Sequence, residues 1–188
     1  MRSLFLLIIF THLLAASQPK AMPRVLFDDS VAADFRALIQ DNWWTFLTFF
    51  EARSDCIRDI RVVAVQELAD RAIYDPPTLT TFVRVPERGS LLRAALIHEW
   101  AHHLEFQCPA QLEMRDAFLK AQNLPPTTPW LMPDGSRNLP AYRWASIPSE
   151  QFAETVVASV LERRNLRTPV TITEAGLRVI ETWAKKKN

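Results

Sequence analysis

Residues 98–102 read His98-Glu99-Trp100-Ala101-His102. On a helix, residues four apart lie about 40° apart around the axis and one turn along it, so both imidazoles can reach one tetrahedral ion. Glu99 falls about 100° round from His98, at the flank of such an ion. There a carboxylate can take a proton from metal-bound water without being a ligand itself. The rival reading is two ordinary polar histidines at the edge of a core helix. Against it, Ala95, Ile97, Trp100, Ala101 and Leu104 are apolar, so the polar groups enter an otherwise buried segment, where they need partners. The pattern predicts one zinc ion per chain. His103 points elsewhere around the helix and is expected at the surface or behind the ligands.

A catalytic zinc needs a third protein ligand. Beyond His12 in the leader the chain has no histidine outside 98, 102 and 103, so a third histidine is excluded by inventory. Cys108 stands at the spacing where metzincins place their third ligand, but those have glycine for a sharp turn at the position held here by Glu105. The segment IPSEQFAETVVASVL (147–161) is a better source. Helical spacing places Glu150 and Glu154 on the apolar side with Ala153, Val156 and Val157, and places Gln151, Thr155, Ser159 and Glu162 opposite. Two buried like charges one turn apart need a cation or a donor. Zinc and a histidine N–H would supply both, one glutamate acting as ligand and the other orienting an imidazole from behind. The alternative is a pair of surface glutamates.

HEWAH followed some fifty residues later by EQFAE resembles the gluzincin zinc metallopeptidases, and more closely the lethal-factor and Pro-Pro endopeptidase kind. The resemblance covers about residues 74–162 and implies a zincin-like fold and peptide-bond hydrolysis. It implies His98, His102 and Glu150 as ligands, Glu99 as general base, Glu154 behind a ligand imidazole, and Tyr142 as stabiliser of the oxyanion. The interval from Tyr142 to Glu150 is about one residue longer than in that family and holds Trp144 and Pro148. The resemblance also implies that TLTTFVRV (78–85) is an exposed edge strand along which substrate lies.

The elements that must position these groups follow from periodicity. Apolar residues from Val31 to Phe50 at helical spacing predict a helix from about Ser30 to Ala52, with Trp43, Trp44 and Phe49 widening its buried face. Three β-branched runs between Cys56 and Val85 predict three strands. Ser90 is the expected cap of the HEWAH helix, Cys108-Pro109 its stop, and QLEMRDAFLKAQ a short helix behind it. A proline-rich stretch, 123–148, reads as a loop over the site. Helices over 149–163 and 173–185 close the chain. The expected class is α+β: a small mixed sheet, an N-terminal helix, the central HEXXH helix and C-terminal helices.

Arg2 followed by the apolar run Leu4–Ala16 predicts a signal peptide over 1–17, with one domain over 18–188; an uncleaved anchor is the alternative. Export makes Cys56 and Cys108 one expected disulfide, against two buried free thiols. With 22 basic and 21 acidic residues, nothing points to nucleic acid. The expected partner is a peptide or protein substrate, with no stable membrane insertion once the signal is cleaved. Two other functions fit the same motif: a non-catalytic zinc-binding interaction module, and a zinc hydrolase of a non-peptide amide such as a cell-wall cross-link.

Overall fold

The computed structural model describes residues 22–131, 140–162 and 168–186. The expected signal peptide lies outside them. The order is β1 (Val25–Phe27), α1 (Ala33–Phe49), β2 (Ile60–Val65), β3 (Ala72–Asp75), β4 (Thr80–Arg84), α2 (Gly89–Gln107), α3 (Arg115–Ala121), α4 (Ala141–Trp144), α5 (Pro148–Val160) and α6 (Glu174–Lys185). This is the α+β class that the sequence implies, with a mixed four-stranded sheet, a helix before it, the histidine helix α2 at the centre and helices after it.

The sheet runs β1-β2-β4-β3. β1 and β4 both pair with β2 in parallel, and β3 pairs with β4 antiparallel, Ile73 opposite Phe82 and Tyr74 opposite Thr81. Two expectations change. β1 has only three residues, too few for a period-2 pattern to register, so the sequence does not announce it. β4 is not the edge: its hairpin with β3 and its parallel pairing with β2 place it inside the sheet, with Thr80 and Thr81 buried. The edge strand beside α2 is β3. Arg84 N–H donates to the Arg71 carbonyl, so by antiparallel alternation Ala72 and Tyr74 turn their backbone groups to the open side.

The core is aromatic. Trp43 of α1 meets Trp100 of α2 edge-on at 5.0 Å between ring centroids, with Phe46 and Phe50 beside them. Trp44, one residue and about 100° further round α1, is 61 % exposed, so it does not widen the buried face as its type suggested. α2 begins at Gly89 after Arg88, which leaves Ser90 inside the first turn with no capping bond from a side chain. It ends at Cys108, disulfide-bonded to Cys56. α5 is not two-sided as expected: Gln151, Thr155 and Ser159 are buried along with Phe152, Ala153 and Val156. Two of these polar residues find partners within the protein, while Ser159 Oγ is buried without one among the described residues. Gln151 Nε2 donates to the Ala145 carbonyl and Thr155 Oγ1 to the Gln151 carbonyl, while Gln122 donates to Thr155. Among the described residues no helix is long and apolar enough to cross a membrane.

Candidate metal centre

α2 packs along α5, and their facing sides bring His98, His102 and Glu150 together. The His98 and His102 Nε2 atoms are 3.3 Å apart, and Glu150 Oε2 lies 3.1 Å from the first and 3.5 Å from the second. Zinc bonds of about 2.0–2.1 Å at tetrahedral angles would set neighbouring ligand atoms about 3.3 Å apart. The observed triangle therefore has the size of one face of such a tetrahedron. Among the described residues this is the one group of three ionisable or thiol side chains that could hold a metal ion.

Each imidazole is backed by a carboxylate on its other nitrogen. Glu154 Oε1 lies 3.1 Å from His98 Nδ1, and Glu105 Oε2 lies 3.1 Å from His102 Nδ1. A carboxylate only accepts, so each Nδ1 carries a proton, and in the neutral ring that a metal would bind this leaves the Nε2 lone pair for the ion. That tautomer suits metal binding. Glu154 thus lies behind His98, on the side away from Glu150. In the sequence Glu105 stands out as the residue disfavouring a sharp turn, although its i+3 spacing from His102 on one helix face is a usable signal.

Electrostatics agree with a site built for positive charge. Burial alone would depress His98, but its hydrogen bonds with Glu150 and Glu154 overcome this and hold the ring up at about 9. Burial opposes His102 in the same way, and Glu105 and Glu150 raise it well above the ordinary imidazole value. Burial would raise Glu150, yet the two histidines hold its carboxyl far below the usual range. The carboxylates that favour a proton on each imidazole would equally favour a divalent ion in its place.

Glu99 stands beside this cluster and accepts a 2.8 Å hydrogen bond from the Tyr74 N–H on the open edge of β3. Burial raises its carboxyl, and the nearby Glu150 charge adds to that rise. Tyr142 is 76 % exposed on the single-turn helix α4. The aromatic ring that α4 lays on the site is Trp144, stacked on His98 at 5.9 Å and 22°. Two residues on a helix are about 200° apart, so with Trp144 against His98, Tyr142 faces away. His103 is neither at the surface nor behind a ligand. It is fully buried: Nε2 donates to the Arg58 carbonyl at 3.0 Å, so Nδ1 accepts from the Tyr74 hydroxyl at 2.8 Å. Burial lowers it to about 4.

Comparison with protein-family models, with curated proteins and with solved structures finds no match. The geometry of the His98/His102/Glu150 group carries the functional reading by itself.

Proposed function

We propose that the chain is an exported zinc-dependent peptidase with one zinc ion on His98, His102 and Glu150. The observation that supports it most is the triangle of Nε2, Nε2 and Oε2 atoms with edges of 3.3, 3.1 and 3.5 Å, each imidazole backed by a carboxylate. When bound, zinc supplies a Lewis acid that polarises a carbonyl and acidifies water.

The chain's own residues do the rest. Glu99, with its carboxyl raised by burial, accepts a proton from the attacking water and passes it to the leaving amine. The Tyr74 N–H holds that carboxylate at 2.8 Å, so the base is fixed by a strand rather than a loop. An extended peptide would lie along the outer side of β3 rather than along β4, pairing with the backbone groups that the Glu99–Tyr74 bond leaves over. Trp144 covers one face of His98. Tyr142 would have to turn inward to steady the oxyanion, as the resemblance implies. The Cys56–Cys108 disulfide is compatible with export.

The test is metal analysis of the purified protein together with peptide hydrolysis by wild type and Glu99→Gln. One zinc per chain is expected, with Glu99→Gln retaining zinc and fold but losing turnover by about two to four orders of magnitude. Protein that takes up no zinc near neutral pH refutes the proposal. Zinc without hydrolysis by wild type points to a binding module, and cleavage of cell-wall fragments in preference to peptides points to a non-peptide amide.

A further inference from the structure

Glu105 is among the most buried charges of the protein, its side chain 1 % exposed. Its Oε2 accepts from His102 Nδ1 at 3.1 Å and from the Ser149 hydroxyl at 2.7 Å. Its Oε1 accepts from Trp130 Nε1 and lies 3.7 Å from the Arg115 guanidinium. That guanidinium in turn lies over the Trp130 ring at 4.7 Å, and Ser149 N–H donates to the Trp130 carbonyl at 3.1 Å. A buried carboxylate is costly unless its lone pairs are filled, and here four segments converge to fill them. Two of its partners bear directly on the triad: His102 belongs to it, and Ser149 immediately precedes Glu150.

We propose that Glu105 is a positioning residue for the metal centre, holding the His102 Nε2 lone pair toward the triad and, through Ser149, fixing the start of the helix that carries Glu150. This rests on the metal reading above. The chemistry requires an acceptor on this side of His102. An amide at position 105 would keep its oxygen toward the donors Trp130 and Arg115, leaving its NH2 against Ser149 Oγ and His102 Nδ1. Ser149 Oγ, 3.3 Å from Nδ1, would be the one acceptor left there for a ring N–H; the amide NH2 beside it favours a ring that accepts at Nδ1 and carries its proton on Nε2, which closes that nitrogen to a cation.

The experiment measures zinc affinity of the full chain by competition with a chromophoric chelator, for wild type, Glu105→Gln, His102→Ala and the double variant. Melting of each metal-free protein is followed alongside. Glu105→Gln is expected to bind zinc about 10- to 100-fold more weakly while its metal-free form still melts cooperatively. In the His102→Ala background the same change should have almost no further effect, because its route to the metal is gone. If Glu105→Gln does not fold, Glu105→Asp keeps the charge but, one methylene shorter, cannot span from Trp130 to His102, and a loss of at least about tenfold is expected. Wild-type zinc binding with unchanged affinity in the position-105 variant overturns this proposal and spares the metal reading. Equal losses with and without His102 overturn action through His102. A wild-type protein that binds no zinc overturns both.

Discussion

Glu150 and Glu154 sit one turn apart on α5 and both touch His98, yet they should respond differently to the same substitution. Glu150 Oε2 faces Nε2 of both imidazoles, at 3.1 and 3.5 Å, whereas Glu154 meets only the far side of His98. The field at His98 can be sized. A ring moved from its ordinary 6.5 to about 9, against burial, has a net preference for positive charge of about 3 kcal/mol. Removing one member of a buried charge pair typically costs about 3–5 kcal/mol. Glu150→Gln should therefore weaken zinc by roughly a hundred- to several-thousand-fold, since a neutral amide is also a poor ligand for a divalent ion. Glu154→Gln should cost about 10- to 100-fold, because the imidazole loses its orienting acceptor while all three donors remain. Chelator competition gives the affinities, and NMR titration of the metal-free protein should show His98 falling toward its ordinary value in both variants. If Glu154→Gln proves the more damaging for zinc, the ligand is one turn further along α5 and the triangle has been misread.

Three further expectations concern pH and redox state. Below about 9, zinc must displace the proton that Glu150 and Glu154 hold on His98, and also the one on His102. The affinity should therefore rise with pH, by up to about a hundredfold per unit when two protons are released; a pH-independent constant between 6 and 8 would contradict this. His103 behaves oppositely with respect to folding: lowered to about 4 when folded, it takes up a proton in the unfolded chain first. Its contribution is complete above about 6.5 and fades as pH falls toward 4, by about 3 kcal/mol in all, and urea melts of His103→Gln should show a flatter acid limb than wild type. Replacing both Cys56 and Cys108 by serine removes a closure spanning 52 positions and should cost about 4 kcal/mol, read as a lower melting temperature; an unchanged midpoint would show that the bridge is dispensable.

The parts of the site that lie within one helix were legible in the sequence, and the parts that meet across helices were legible only where charge made them conspicuous. His98, Glu99 and His102 share a turn, so spacing alone places them. Glu150 and Glu154 stood out because two carboxylates on an apolar face demand a partner. Glu105, on the helix of His102, was signalled by its i+3 spacing alone, because its other partners, Trp130 and Ser149, arrive from distant segments. His103 looked peripheral because its two partners, Tyr74 and Arg58, lie 29 and 45 positions away. The polar side of α5 looked solvated because sequence gives no sign that Gln151 and Thr155 find acceptors indoors. Strand order escaped for a related reason: hydrophobic runs identify strands, but neighbours in a sheet are chosen by connections and packing, which moved the open edge from β4 to β3.

The disulfide joins positions 52 apart, and His98 is likewise 52 positions from Glu150. The first closure spans 56–108 and the second would span 98–150, so the two rings overlap on the last turns of α2. One clasp needs an oxidant and the other an ion, and each closes a loop whose freedom would otherwise favour the unfolded chain. Opening either leaves α2 tethered by the other, to the chain before it or to the chain after it. Where thiols are kept reduced and free zinc is scarce, neither clasp closes. The fold would then lack both contributions, and a compartment that is both oxidising and metal-replete would supply them together.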